Sequence, residues 1–336
     1  MASVRVRYPG RICLLGEHCD WAGGSSLTVP TPMGIDVRAD SARDGVLVRS
    51  EMDGEFLEQH FSADARIPAS GPLRFIPAIM AELESTGIHI SPAELWVQSD
   101  LPAGRGLSSS ASFSLGVLDA LSRLSGRTLP TSELVERAYQ VERTHLGIGC
   151  GRLDPAACAA AQPLLLQWSP DSSGDVAMHA TRVEPLGAIH LTVGVMDKPR
   201  DTRRILHTLN KHNASPVGNP DGDAVREALC EFGAAADRGA HALRNGNMVA
   251  LGAAMDTAQR VYEANLESRF ECMRAPRLRT IVKGLRTRGA LGAKFSGAGG
   301  DGSVVALSAD ENTARSTAIW LEMQGLKAWY TPIEAP

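Results

Sequence analysis

Residues 94–124 constrain the chain most. ELWVQSD (94–100) has strand character and runs straight into the turn-rich LPAGRGLSSSAS. From Ser109 to about Leu124, apolar residues then recur at Ala111, Leu115, Leu118 and Leu121, spacings of 4, 3 and 3. That spacing is a helix with one buried stripe, and it follows directly on the strand and the glycine-rich turn. The first turn of such a helix carries unpaired backbone N–H groups and the positive end of the dipole, which together suit phosphate. Serine hydroxyls at the same place can bond phosphate oxygens or ligate Mg2+. Serine is also among the best N-caps, so the same residues read equally as a capped helix after an ordinary turn.

Around this nucleus the elements are segregated. Val4, Val6 and Tyr8 alternate with Arg5 and Arg7 as a strand does, Pro9-Gly10 is expected to break that strand, and a glycine-rich loop follows from Gly16 to Gly24. Strand-like pieces continue to about residue 60. LRFIPAIMAELESTG (73–87) reads as a helix ended by Gly87, and 132–145 as another with Ser132 as its cap. A strand at AIHLTVGVM (188–196) opens a second half. A polar stretch (211–223) then precedes Ala-rich helices at about 224–245 and 247–266. A helix at 276–288 leads to a glycine-rich loop and the strand SVVAL (303–307). Strands and helices that do not strictly alternate predict an α+β fold rather than a doubly wound sheet, and 336 residues predict two domains.

Composition excludes several function classes. Lys and Arg number 34 against 38 Asp and Glu, a net charge of −4, which lacks the basic excess of a general nucleic-acid-binding surface. No apolar run reaches the roughly 18 residues needed to span a bilayer, and MASVRVRYPG lacks the apolar core of a signal peptide. Six cysteines without a CxxC pair read as reduced and mostly buried. The expectation is a soluble cytoplasmic protein with neither nucleic acid nor membrane as partner, its oligomeric state left open. His207 and His212, five apart and outside any HExxH pattern, read as surface residues, so no zinc site is expected.

Two further glycine-rich stretches carry chemistry. GAGGDG (297–302) satisfies G-x-G-x-x-G, but a helix and a short run precede it and an apolar strand follows, which is the wrong order for a dinucleotide fingerprint. PGRICLLGEHCDWAGG (9–24) gathers Arg11, Glu17, His18 and Asp20 on a loop punctuated by Gly16, Gly23 and Gly24, a set of directional polar groups suited to a ligand bearing hydroxyls. The apolar run Ile12–Leu15 anchors that loop to a core. The Walker signature and the protein-kinase HRD and DFG sets are absent.

Taken in order, these stretches resemble the GHMP small-molecule kinases, and within them the galactokinases. Residues 9–24 are similar to the galactokinase pattern PGRxNLxGEHxDYxGG, 106–112 to its GLSSSAS phosphate loop, and 297–302 to its GGGFGG segment. VERTHLGIGCGRLD (141–154) is similar to its E-x(11)-D stretch ending in CGxMD. The resemblance implies an α+β, two-domain GHMP kinase fold: a ribosomal-protein-S5-like N-terminal domain (1–186), a ferredoxin-like α/β sandwich C-terminal domain (187–336), and an active site in the cleft between them. It implies an ATP- and Mg2+-dependent sugar kinase acting on the anomeric hydroxyl, with ATP and a small-molecule sugar as partners. Asp154 would be the catalytic base with Arg11 beside it, and Ser110 and Glu142 would hold Mg2+. Gly104, Arg105, Gly106, Leu107, Ser108, Ser109 and Ser110 would cradle the ATP phosphates. Gly297, Gly299 and Gly300 would close over the phosphates or the substrate. Glu17, His18, Asp20 and Gly151 would line the sugar.

Departures from the pattern bear on the acceptor. Pro155 stands where galactokinases have Gln, and Trp21-Ala22 replace Tyr-Asn. In DKPRDTRR (197–204), Lys198 and Arg200 appear where a sugar-contacting Tyr is expected. Paired Lys and Arg favour a carboxylate or phosphate, so a uronate or a sugar phosphate is an expected acceptor. Other readings stay open: a kinase for a non-sugar alcohol (mevalonate or a hydroxy amino acid), a catalytically silent sugar- and ATP-binding regulator, and a nucleotide-dependent oxidoreductase.

Overall fold

The computed structural model describes residues 2–52, 54–68, 70–170, 176–196 and 201–333. Its first strand, β1 (Ser3–Leu15), runs through Pro9-Gly10 without the expected break. β1 pairs with β2 (Gly24–Ser41), and outside that ladder the Arg11 N–H donates to the Leu107 carbonyl at 3.2 Å. A proline is tolerated where only one edge of a strand is committed to a ladder. Between these strands the short helix α1 (Cys19–Ala22) interrupts the loop expected over Gly16–Gly24.

Then follow β3 (Val46–Met52), β4 (Glu55–Phe61), α2 (Phe75–Ser85), β5 (Ala93–Ser99), α3 (Ser109–Leu124), α4 (Thr131–Gln140) and α5 (Leu153–Ala160). Next come β6 (Leu164–Pro170), β7 (Val176–Arg182), β8 (Ile189–Val195), α6 (Thr202–Asn213), α7 (Pro220–Arg244) and α8 (Met248–Val261). The described chain ends with α9 (Pro276–Thr287), β9 (Gly292–Ser296), β10 (Ser303–Ser308), α10 (Glu311–Met323) and β11 (Lys327–Ile333). The fold is α+β with two domains, as expected. One compact unit comprises Met1–Arg11 and Thr31–Ala161, the other Ile12–Pro30 and Gln162–Pro336.

In the first unit the strand order is β4-β3-β5-β2, with β3 parallel to β5 and the other neighbours antiparallel. Ile35, Val37, Val48, Leu95 and Val97 are at most 1% exposed. Each fully buried side chain of this kind contributes roughly 1.5–3 kcal/mol. α3 has the expected bounds, but the single buried stripe is not what forms: every residue from Ala111 to Ser122 is buried. The stripe at 111, 115, 118 and 121 describes one face only, whereas α2, α4 and α5 also pack on this helix. At Gly116 a Cβ would lie 2.8 Å from Val37 Cγ2, so glycine lets α3 reach the sheet. Of its buried polar groups, Ser112 donates to the Pro9 carbonyl (2.8 Å) and Asp119 accepts from Tyr8 (2.9 Å) and Arg123 (2.6 Å), whereas the Ser114 and Ser122 hydroxyls find no partner among the described residues. Ser132 is not the cap of α4; the helix begins one residue earlier, after Pro130, and no side chain caps it.

In the second unit β11-β8-β10-β9 form an antiparallel sheet, and β6 pairs with Gly24–Thr28 of β2 and with β7. The Gly/Pro/Asn-containing stretch supplies helix starts rather than a loop throughout: α6 runs to Asn213, and α7 begins at Pro220 behind Asn219, which accepts from the Gly222 N–H. β9 was not expected as a strand. It is the outermost strand in its sheet, and α8 covers it closely because Gly252 and Gly292 allow backbone contact that a Cβ would forbid. Two β9 amide groups then find side-chain acceptors on α8: Ala293 N–H on Asp256 (3.1 Å) and Phe295 N–H on Gln259 (2.9 Å). An edge whose donors are satisfied in this way is not free to recruit another strand. GAGGDG therefore joins two antiparallel strands; a strand does precede it, and what it lacks for a dinucleotide fingerprint is the following helix.

His207 is exposed and His212 lies against the Phe270 ring, with centroids 4.8 Å apart. None of the six cysteines is in a disulfide; Cys13, Cys19 and Cys158 are buried, Cys150 and Cys272 half-buried, and Cys230 exposed.

Candidate active site

Within the first unit, β1, the 101–108 loop, α5 and the segment after α4 bring most of the expected residues together. Arg11 sets its guanidinium on Asp154 Oδ1 through Nε (2.9 Å) and Nη2 (2.5 Å), and its Nη1 donates to the Gly106 carbonyl at 2.7 Å. The Arg11 side chain is 6% exposed and that of Asp154 38%, so a fixed cation holds a carboxylate that still meets solvent. Asp154 lies in the first turn of α5, where the helix dipole favours a negative charge. Arg152, just before α5, grips Glu136 of α4 (2.7 Å) and stacks on Tyr139. Those contacts tie the residue just before α5 to α4. Gly151 is buried beside it.

The loop before α3 bends through three left-handed residues: Gly104 (φ 67°), Gly106 (φ 82°) and Ser108 (φ 63°). For Ser108 this conformation costs roughly 1–2 kcal/mol, which the surrounding packing must offset. Leu107 between them is buried and pins the loop, while Arg105 is half-buried. Ser109 Oγ accepts from the Gly104 N–H at 3.3 Å. No side chain caps α3, and the buried Ser108 hydroxyl has no hydrogen-bond partner among the described residues. An uncapped first turn flanked by an unsatisfied hydroxyl fits an anion such as phosphate.

Glu142 stands in a π turn (Val141–His145) that continues α4. Its Oε1 is buried with no hydrogen-bond partner among the described residues. Burial, reinforced by the charge of Asp154, pushes its carboxyl up to about 7, against the pull of hydrogen bonds from Ser110 and Cys150 and the charge of Arg74. A desolvated carboxylate oxygen beside a serine hydroxyl is the hard-oxygen donor set that Mg2+ takes.

This acidity predicts a pH signature. Between the ordinary value of 4.5 and about 7 the folded chain holds a proton at Glu142 that the unfolded chain has lost. Stability from this group is therefore present at low pH and declines as pH rises through that window. Glu142→Gln does not titrate. In the presence of EDTA the variant should gain on the parent protein between pH 5 and pH 8, by about 1–3 kcal/mol at roughly 1.4 kcal/mol per pKa unit. Urea denaturation at the two pH values reads this directly, and a difference independent of pH would refute it.

Within the second unit, Glu17 and Lys294 form an ion pair with side chains 1% and 0% exposed. Lys294 also donates to the Phe295 carbonyl and lies over its ring, 4.2 Å from the centroid, while Glu17 Oε2 has no partner among the described residues. His18 is left-handed (φ 68°), and its Nε2 is 3.2 Å from the Ala298 carbonyl. Asp20 is half-buried in α1. Gly297, Gly299 and Gly300 all have positive φ, and their loop is pinned from below. Tyr262 accepts from the Gly300 N–H (2.8 Å) and donates to the Met273 carbonyl (2.5 Å), and Asp301 accepts from Leu278 N–H (2.9 Å). Lys198 and Arg200 lie outside the described residues.

Sequence reasoning missed Lys294 and Tyr262. A single Lys in GAKFS carries no local sign of a buried counter-ion, and Tyr262 sits in a π turn (Tyr262–Glu267) that helix periodicity does not reveal.

The family model for the GHMP kinases N terminal domain matches residues 74–162, and that for the GHMP kinases C terminal matches residues 240–318. The galactokinase of Pyrococcus furiosus is 26% identical over 339 residues, covering 94% of this chain and 92% of the relative. The mevalonate kinase of Aeropyrum pernix is also 26% identical, over 309 residues, covering 91% and 88%. The crystal structure of Lactococcus lactis galactokinase complexed with galactose superposes with a TM-score of 0.79 at 20% identity, covering 99% of this chain and 93% of that one. No helix among the described residues is long and apolar enough to cross a membrane. The two matched segments amount to half of the chain and hold the serine loop, Glu142 and Asp154 in one and the GAGGDG loop in the other, so the chain belongs to the GHMP kinase family.

Proposed function

We propose that this kinase transfers the terminal phosphoryl group of ATP to the anomeric hydroxyl of a sugar, in the cytoplasm. The observation that carries the reading is the Arg11–Asp154 pair beside the glycine-serine loop. Both Arg11 contacts fall on Oδ1, which leaves Oδ2 to accept from the acceptor hydroxyl. The hydroxyl oxygen forms the new bond to phosphorus as the bond to ADP breaks, and its proton passes to Oδ2. A carboxylate is a weak base for a hydroxyl, so proton transfer comes late and orientation is the larger contribution. Arg11, held rigid by three hydrogen bonds, stabilises charge on the attacking oxygen and on the moving group. The first turn of α3 and the 104–110 backbone would bind phosphate oxygens. Bound Mg2+, held by Glu142 and Ser110, would supply neutralisation of the phosphate charge.

On the sugar side, Glu17, His18, Asp20 and Gly151 are assigned from the motif they share with galactokinases. The unpartnered Glu17 Oε2 supports an acceptor for a ligand hydroxyl there. Lys198 and Arg200 support an acceptor that carries its own carboxylate or phosphate. A second reading, a non-sugar alcohol such as mevalonate, is supported by a likeness to mevalonate kinase as extensive as that to galactokinase.

ADP release measured over neutral hexoses, hexuronates, hexose phosphates and mevalonate tests all of this at once. The expected outcome is turnover with a sugar and none with mevalonate, fastest with an anionic sugar. Turnover of mevalonate alone overturns the sugar reading, and equal rates on neutral and anionic sugars remove the role of Lys198 and Arg200.

A further inference from the structure

The buried face of α4 runs through Leu134, Val135 and Ala138 to Val141, and the half-buried Glu142 and His145 follow in the turn that continues the helix. Two polar residues three apart at the end of an apolar face each need a partner. His145 has one: its Nε2 lies 3.0 Å from Oε2 of Glu82, a residue of α2 that is itself 7% exposed. The other oxygen of Glu82 meets Arg137 Nη1 at 3.5 Å, and Arg137 is tied in turn to Glu133. Glu142 keeps one oxygen without a partner among the described residues, three residues from this clamp.

The backbone between them is not an α-helix. Leu146 N–H bonds to the Val141 carbonyl five residues back (3.1 Å), the spacing of a π turn, and Ile148 N–H to the Glu142 carbonyl six back (2.9 Å), a wider closing turn. Such a turn is uncommon and easily relaxes to the α form, so it persists where neighbouring contacts over-determine it. Glu82 with His145 is a polar contact that ties the far end of this turn to α2.

We infer that Glu82 and His145 are positioning residues for Glu142: the clamp holds the π turn in the register that turns the carboxylate toward the Ser110 end of α3. The inference rests on the proposed cation role of Glu142. Supports of this kind behind a ligating side chain typically change metal affinity by roughly 10–100-fold when removed.

The test measures Mn2+ binding in the presence of ADP by electron paramagnetic resonance, for the parent protein and for Glu82→Gln, His145→Gln and Glu142→Gln, with steady-state KM values for sugar and for the metal alongside. Glu82→Gln keeps an acceptor and a near-identical shape; should it fail to fold, His145→Gln carries the measurement. The expected result is a Mn2+ dissociation constant raised about 10-fold or more in both clamp variants, with the sugar KM within about threefold of the parent. Parent-like Mn2+ binding in the clamp variants, with binding lost in Glu142→Gln, would overturn the clamp and leave the cation role standing. Parent-like binding in all three variants would overturn both. A clamp variant with a lower melting temperature but unchanged Mn2+ affinity would likewise assign Glu82 and His145 to stability alone.

Discussion

Asp154→Asn is expected to reduce kcat by roughly 10²–10⁴-fold while leaving the KM values for ATP and sugar within about threefold. The substitution preserves shape and one oxygen, so Arg11 can keep its contact with the Gly106 carbonyl and a weakened one at residue 154. Under the proposed function it removes the carboxylate that would orient the hydroxyl and receive its proton, a contribution felt in the transition state more than in the ground state. A split in which kcat falls and KM does not is therefore the signature, measured by coupled ADP release. A kcat within about threefold of the parent would end the assignment of Asp154 to the chemistry.

The largest stability effect is expected at Lys294. Replacing it by Met leaves the Glu17 carboxylate, 1% exposed, without its counter-ion, and breaking a buried pair from one side costs about 3–5 kcal/mol. Urea denaturation should show the loss. Adding Glu17→Gln to the same chain should restore most of it, because the uncompensated charge is then gone. The double variant also separates two roles of Glu17. If it folds like the parent but its sugar KM rises, the carboxylate contacts substrate; if KM is unchanged, the pair only joins β9 to the segment before α1. A Lys294→Met chain within about 1 kcal/mol of the parent would show that the pair does not hold the second unit together.

How far the sequence could be followed differs from element to element. Helix α3 was legible to the residue at both ends because its apolar spacing and the preceding glycines are local signals, and α9 and β8 were legible for the same reason. The burial of α3 on every side was not, since small residues such as Ala111, Ser112 and Gly116 look neutral until three helices and a sheet close around them. β9 was invisible because five residues with a lysine at the centre carry no alternating pattern, and its outer donors are satisfied by α8 rather than by a strand. Of the candidate site, Arg11, the serine loop, Glu142 and Asp154 could be named from motifs, but Lys294, Tyr262, Glu82 and His145 could not. Each of these four acts through a partner remote in sequence or a turn outside the α period.

The chain's order of residues alone settled which segments are strands and helices over 73–124, where the glycine turns fall, and that four motifs stand in the succession found in GHMP kinases. Those properties are short-range: spacing, turn chemistry and composition act within a dozen residues. Only the tertiary structure decided that Arg11 grips a carboxylate 143 positions away, that Glu17 and Lys294, 277 apart, share a dry ion pair, and that burial pushes the Glu142 carboxyl up to about 7. Charge pairing and acidity depend on how much water is excluded and which opposite charge is brought in. Both are set by distant segments whose arrival no local period encodes.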